Sequence, residues 1–138
     1  MPVDPFALAA RLGIRVREAA LPVDESGHIE FRPHDEAVIT INRADHINRR
    51  RFTCAHEIGH YIRRDPSVRR GRMVDYRSTL AGLGTDVEEI FANQFAAALL
   101  MPAHLVDRWL HLGAPEMAAR FGTSVQAMEI RIRNLGLG

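Results

Sequence analysis

A chain of 138 residues, 46% hydrophobic and 25% charged, suits one globular domain that buries about two thirds of the surface its unfolded chain exposes, and leaves no room for a second full domain. A net charge of +1 is too small to argue for nucleic acid, and no stretch approaches the roughly 20 apolar residues of a bilayer span. The single cysteine, Cys54, excludes an internal disulfide, and the start carries Asp4 without a basic stretch before an apolar run, so the chain reads as cytoplasmic.

Taken in chain order, Pro5 to Leu12 has helical spacing and stops at Gly13. Ile14, Val16 and His28 to Phe31 read as short strands separated by the turn-rich Pro22–Gly27. The clearest strand is Ala37 to Asn42, whose alternation sets Ala37, Ile39 and Ile41 on one face and Val38, Thr40 and Asn42 on the other. A helix from about Asn48 to Ile62 follows, with Phe52, Ala55, Gly59 and Ile62 expected on its core side. Gly59 in mid-helix costs about 1 kcal/mol against alanine, which points to close packing or close approach of a substrate. Arg63 to Gly84 shows no period and reads as a long loop. Thr85 and Glu88 match a capping box at the head of a helix that runs to Met101, with Val87, Ile90, Phe91, Phe95 and Leu99 as its core stripe. Three shorter helices are predicted over Leu105–Leu112, Pro115–Phe121 and Ser124–Leu135.

Within the helix Asn48–Ile62, the stretch TCAHEIGHY sets His56 and His60 four residues apart. At about 3.6 residues per turn they project from one face and can hold one ion. Glu57 points about 100° around the helix, beside the ion, where it can take a proton from water. The arrangement is the H-E-x-x-H of zinc peptidases. Two histidines and a water leave a tetrahedral zinc one protein ligand short. Among the downstream acids Asp65, Asp75, Asp86, Glu88, Glu89 and Asp107, Glu88 is engaged by the capping box and Glu89 is the preferred third ligand, Glu88 its competitor. Asn93, one turn on, is placed to hydrogen-bond a ligand histidine and fix its tautomer. Zinc is the default for such a set, and the same ligands accept manganese or iron. Cys54, on nearly the opposite side of the helix from His56, reads as a small buried hydrophobe.

The basic residues are all arginines, and eight of the 18 lie between Arg49 and Arg72. They read as a solvated face, with a basic rim for an acidic peptide or a partner protein as the alternative. Towards the C-terminus, Ala118, Gly122 and Met128 have the spacing of a helix-turn-helix, Thr123 to Gln126 resembles a capping box, and Val125, Met128, Ile132 and Leu135 form a stripe. Three arginines and two glutamates from Ala114 onward make a weak field for DNA, so a structural or partner-binding unit is preferred.

The runs RRRFTCAHEIGHYI and EEIFANQFAAALLMP resemble the ImmA/IrrE family of metallo-endopeptidases, whose pattern is R-x-F-T-x-A-H-E-x-G-H followed by E-x-x-A-N-x-F-A-A-x-L-L-M-P. The opening DPFALAARLGIRV and the closing MAARFGTSVQAMEIRIRNLGL are also similar to the family. The resemblance implies His56, His60 and Glu89 as metal ligands, Glu57 as catalytic base and Asn93 in support. Ala98 stands where such proteins often carry an acid. It further implies an α+β fold: a zincin-like core, a small antiparallel or mixed sheet packed on the two motif helices over residues 1–101, and a helix-turn-helix-like tail over 102–138, the whole a single metallopeptidase domain. The partner it implies is a helix-turn-helix (Xre-type) transcriptional repressor, cut or inactivated in stress responses, mobile elements or toxin-antitoxin pairs.

For the oxyanion a further donor is expected, with Tyr76, Arg77, Tyr61, His34 and His46 as candidates. If Ala37 to Asn42 is an edge strand beside the cleft, substrate can add to it as an extended strand. The competing reading is a non-catalytic module that binds DNA or sequesters a repressor and whose metal is structural; Glu57 discriminates the two, since a structural site needs no base.

Overall fold

Asp4 opens the first helix, α1 (Pro5–Arg11), its carboxylate accepting from the backbone N–H of Phe6 and Ala7 with Pro5 in the first turn, the arrangement that satisfies otherwise unpaired helix-start donors. The chain leaves α1 through Gly13, whose φ of +79° suits a residue without Cβ. The computed structural model describes residues 2–64, 71–76 and 87–138, and for 71–76 the backbone alone.

Four strands form one mixed sheet: β1 (Arg15–Ala19), β2 (Glu25–Arg32), β3 (Glu36–Asn42) and β4 (Gly71–Tyr76), in the spatial order β1-β3-β2-β4. β1 runs parallel to β3, Val16 opposite Ile39, and β2 runs antiparallel to β3, Ile29 opposite Ile39. The strands differ from the sequence-based expectation in three places. The turn assigned to Pro22–Gly27 ends at Asp24, since Glu25, Ser26 and Gly27 already belong to β2. The loop assigned to Arg63–Gly84 contains β4, which pairs antiparallel with β2; its partner is forty or more residues away, so no local period announces it, and the rest of that loop from 65 lies outside the described residues. Finally, β3 is a central strand with Ala37 to Asn42 all buried. It has no open edge to which a substrate strand could add.

α2 (Ile47–Arg63) carries the histidine motif, and every residue from Thr53 to His60 is buried. Its N-cap is His46, whose Nδ1 accepts from the Asn48 N–H at 3.1 Å. One side, through Cys54 and Ile58, joins a core with Ile29, Phe31, Ile39 and Ile41 of the sheet and Ala9 of α1. The other side lies against α3 (Val87–Leu100). There Gly59 is required: a Cβ would stand 3.0 Å from Ala92 Cα and 3.3 Å from Phe95 Cβ. Ile62, expected in the core, is 46% exposed.

The predicted stripe of α3 is also corrected. Val87 and Ile90 are exposed, while Ala92, Ala96 and Leu100 are the buried positions. A helix that approaches its neighbour at glycine distance must present small side chains, so the alanines face inward and the larger residues are displaced to the flanks. The capping box expected of Thr85 and Glu88 cannot be followed, since Thr85 lies outside the described residues.

Beyond Pro102 come α4 (Ala103–Arg108), a 3₁₀ turn over Leu110–Leu112, α5 (Ala114–Phe121) and α6 (Val125–Asn134). They enclose a second core in which Met101, Val106, Met117, Phe121 and Met128 meet Ala55 of α2 and Ala96 and Leu100 of α3. The cap of α6 is Ser124, which accepts from the Ala127 N–H at 3.0 Å, one residue later than the expected Thr123; Val125, placed in the stripe, is 41% exposed. Arginines expected as a solvated face tie the elements together. Arg51 donates to the carbonyls of Gly122 at 3.0 Å and Phe121 at 3.3 Å, closing the C-terminal end of α5, where a cation also suits the helix dipole. Arg50 pairs with Glu18 at 2.9 Å; outside that cluster, Arg131 of α6 donates to the Met101 carbonyl at 3.0 Å. No helix among the described residues is long and apolar enough to cross a membrane.

Candidate metal centre

His56 and His60 turn their rings toward α3 from consecutive turns of α2, with ring centroids 4.8 Å apart and planes at 81°. Both side chains are fully buried. Glu89, in the first turn of α3, meets them across the helix pair: one carboxylate oxygen lies 3.0 Å from His56 Nε2 and the other 3.0 Å from His60 Nε2. The two Nε2 atoms are 3.1 Å apart. Their separations are close to the roughly 3.3 Å edge of a tetrahedron whose donors stand about 2.0 Å from a zinc ion. These three side chains lie close enough to hold a metal ion.

The tautomer of His56 follows from its other nitrogen. Nδ1 lies 2.8 Å from Asn93 Oδ1, and an amide oxygen can only accept, so Nδ1 carries the proton and the Nε2 lone pair is turned to the cluster. Two imidazole nitrogens and a carboxylate converging at this spacing form a donor set of the kind that catalytic metal sites use, so the residues present fit a divalent cation. Glu57, next to His56 in the chain, is fully buried.

Glu88, the competitor for the third ligand, turns instead to Arg64, whose Nε is 3.3 Å from its carboxylate. Asp107 is exposed on α4, and Asp65, the Asp75 side chain and Asp86 fall outside what is described. Of the oxyanion candidates, His46 caps α2, His34 occupies the exposed turn between β2 and β3 with φ of +64°, and Tyr61 packs against the sheet core; Arg77 and the side chain of Tyr76 lie outside the described residues. Cys54 is not part of the donor group formed by His56, His60 and Glu89. It is wholly buried, and burial, aided by Asp4 and opposed by Arg51, pushes its thiol up to about 12.

One feature escaped the sequence reading. A groove of about 1020 Å³ lies between the first half of α2, the second half of α3 and α6, and Asn93 belongs to its wall as well as to His56. Ala98, the departure from the family pattern, lines this groove and not the metal cluster. No signal in a single element could have announced a groove made by three.

The Peptidase M78 family, described as the IrrE N-terminal-like domain, matches residues 9–133. No curated protein matches the chain by sequence.

Proposed function

The chain belongs to the Peptidase M78 family of IrrE N-terminal-like domains, and from that premise we propose that it is a metal-dependent endopeptidase. Its partner in this reading is a helix-turn-helix repressor that it cuts or inactivates. The observation that carries the proposal is the meeting of His56 Nε2, His60 Nε2 and the Glu89 carboxylate at 3.0–3.1 Å, with Glu57 beside His56 on the same buried turn.

His56, His60 and Glu89 would hold the cation, zinc being the natural occupant of this donor set. When bound, it supplies a Lewis acid that makes water acidic near neutral pH and polarises a carbonyl. Glu57 then takes a proton from the attacking water and returns it to the leaving amine, so a single carboxylate serves as base and as acid. Asn93 keeps His56 in the tautomer whose Nε2 lone pair faces the centre, and the close packing at Gly59 holds Glu89 in reach of both rings.

Elemental mass spectrometry of the purified chain and of Glu89→Ala, with cleavage of a purified helix-turn-helix repressor followed beside it, tests the proposal. Near one equivalent of metal in the parent and a clear loss in Glu89→Ala is expected. Glu57→Gln should keep its metal and fold and lose on the order of 10²–10⁴-fold in cleavage. A parent that takes up neither zinc nor manganese, or full cleavage by Glu57→Gln, would overturn this mechanism and move the weight to a non-catalytic module that binds a repressor or DNA.

A further inference from the structure

We infer that the groove between α2, α3 and α6 is a docking site for an acidic, apolar-flanked segment of the polypeptide substrate, lying about three residues to one side of the bond that is cut. The inference rests on the peptidase reading above and adds to it a substrate chemistry.

The groove has an apolar floor, with Phe52 of α2, Met101 after α3 and Ile130 of α6 among its walls. Its charges are of one sign: Arg49 and Arg131 line it, and none of its described lining residues is acidic. Arg131 is anchored through Nε to the Met101 carbonyl, and no ion pair among the described residues involves it. Burial lowers the affinity of its guanidinium for a proton with no carboxylate offsetting the cost, whereas for Arg51 the charge of Asp4 works in the opposite direction. A partly desolvated guanidinium beside an apolar wall is stabilised by a carboxylate that arrives with the ligand, since a charge-assisted pair is strongest where water is partly excluded. Thr123, 4% exposed, adds a hydroxyl in the same wall that has no hydrogen-bond partner among the described residues.

Position connects this chemistry to the metal cluster. Arg49, Phe52, His56 and His60 follow one another at spacings of three and four along α2, so they share a face. Asn93 is common to the groove and to His56. Seven residues of helix separate Arg49 from His56, about 10 Å, which an extended chain spans in about three residues. A volume of about 1020 Å³ is at the upper end of the range for ligand pockets and admits several side chains. Duplex DNA is the poorer fit, because α6 turns Ile130 and Arg131 inward to a concave surface and a phosphate backbone demands a broad array of cations.

The test uses the full-length Glu57→Gln chain supplied with zinc, which binds without cutting, and selects from a phage-displayed library of random dodecapeptides. Selected peptides should be enriched in Asp or Glu next to Leu, Ile, Met or Phe. By fluorescence anisotropy the best of them should bind about tenfold more weakly when its acid is replaced by the amide, and by a similar factor to Glu57→Gln/Arg131→Gln. Adding Ala98→Trp, at an exposed position on the groove wall, should abolish binding while circular dichroism and metal content stay those of the parent variant. Peptides without acidic enrichment, unchanged binding by the Ala98→Trp chain, or displacement of the peptide by a mixed-sequence DNA duplex would each overturn the inference. The peptidase reading fails separately: a chain that binds acidic peptides and holds no metal keeps the groove and loses the enzyme, and a metal-loaded protease indifferent to acids does the reverse.

Discussion

α2 meets its two neighbours in opposite ways. Toward the sheet it presents Cys54 and Ile58 to Ile29, Phe31, Ile39 and Ile41, a thick layer of large side chains. Toward α3 it presents Ala55 and Gly59, and at Gly59 the two helices come so close that a single methyl would stand 3.0 Å from the facing backbone. The first contact supplies stability through buried area. The second supplies position: only helices this close let a short Glu89 side chain touch both His56 and His60. Stability and site geometry are therefore carried by different faces of one helix, and substitutions should separate them.

The largest loss of stability is expected on the sheet side. Ile58→Ala removes a fully buried side chain and should cost about 2–5 kcal/mol in denaturant unfolding, while the folded fraction still takes up its metal. Gly59→Val should cost less stability, about 1–3 kcal/mol from overpacking, yet lower metal affinity about tenfold or more in a chelator competition, because α3 must move away and take Glu89 with it. If Ile58→Ala lost its metal and Gly59→Val kept it, the division of labour between the two faces would be wrong. Asn93→Ala separates position from stability more finely, since it removes the acceptor of the His56 Nδ1 proton and leaves the close contact of Gly59 with Ala92 in place. Metal affinity should fall about 10–100-fold with the unfolding midpoint close to that of the parent.

The two faces also differ in how readily the sequence discloses them. The sheet face follows rules that hold within a few residues: alternation in Ala37–Asn42, and a motif helix that follows this strand after a short polar break. Even there the sheet order escaped, and β3 proved central because β2 folds back on one side of it while β1 arrives parallel on the other. The α3 face was misread at Val87 and Ile90 for a physical reason. A pattern reader assigns the largest apolar residues to the core, but where two helix backbones nearly touch the buried positions belong to alanine and glycine. β4 went unread because its pairing with β2 is non-local. The arginines of α2 looked like a charged surface because nothing local tells that Arg51 will find the carbonyls at the end of α5.

What the sequence determines by itself is therefore what helical geometry imposes over a turn or two: His56 and His60 on one face, Glu57 beside them, Glu89 and Asn93 a turn apart on the next helix, all consequences of 3.6 residues per turn. The tertiary structure alone decides that Glu89, 33 residues from His56, arrives within hydrogen-bonding distance of both rings. It decides too that Glu88 turns to Arg64 and that three helices leave a groove with arginines on its rim. Those outcomes depend on how closely and at what rotation helices pack, which is fixed by the side chains of both partners together and is written in neither one alone.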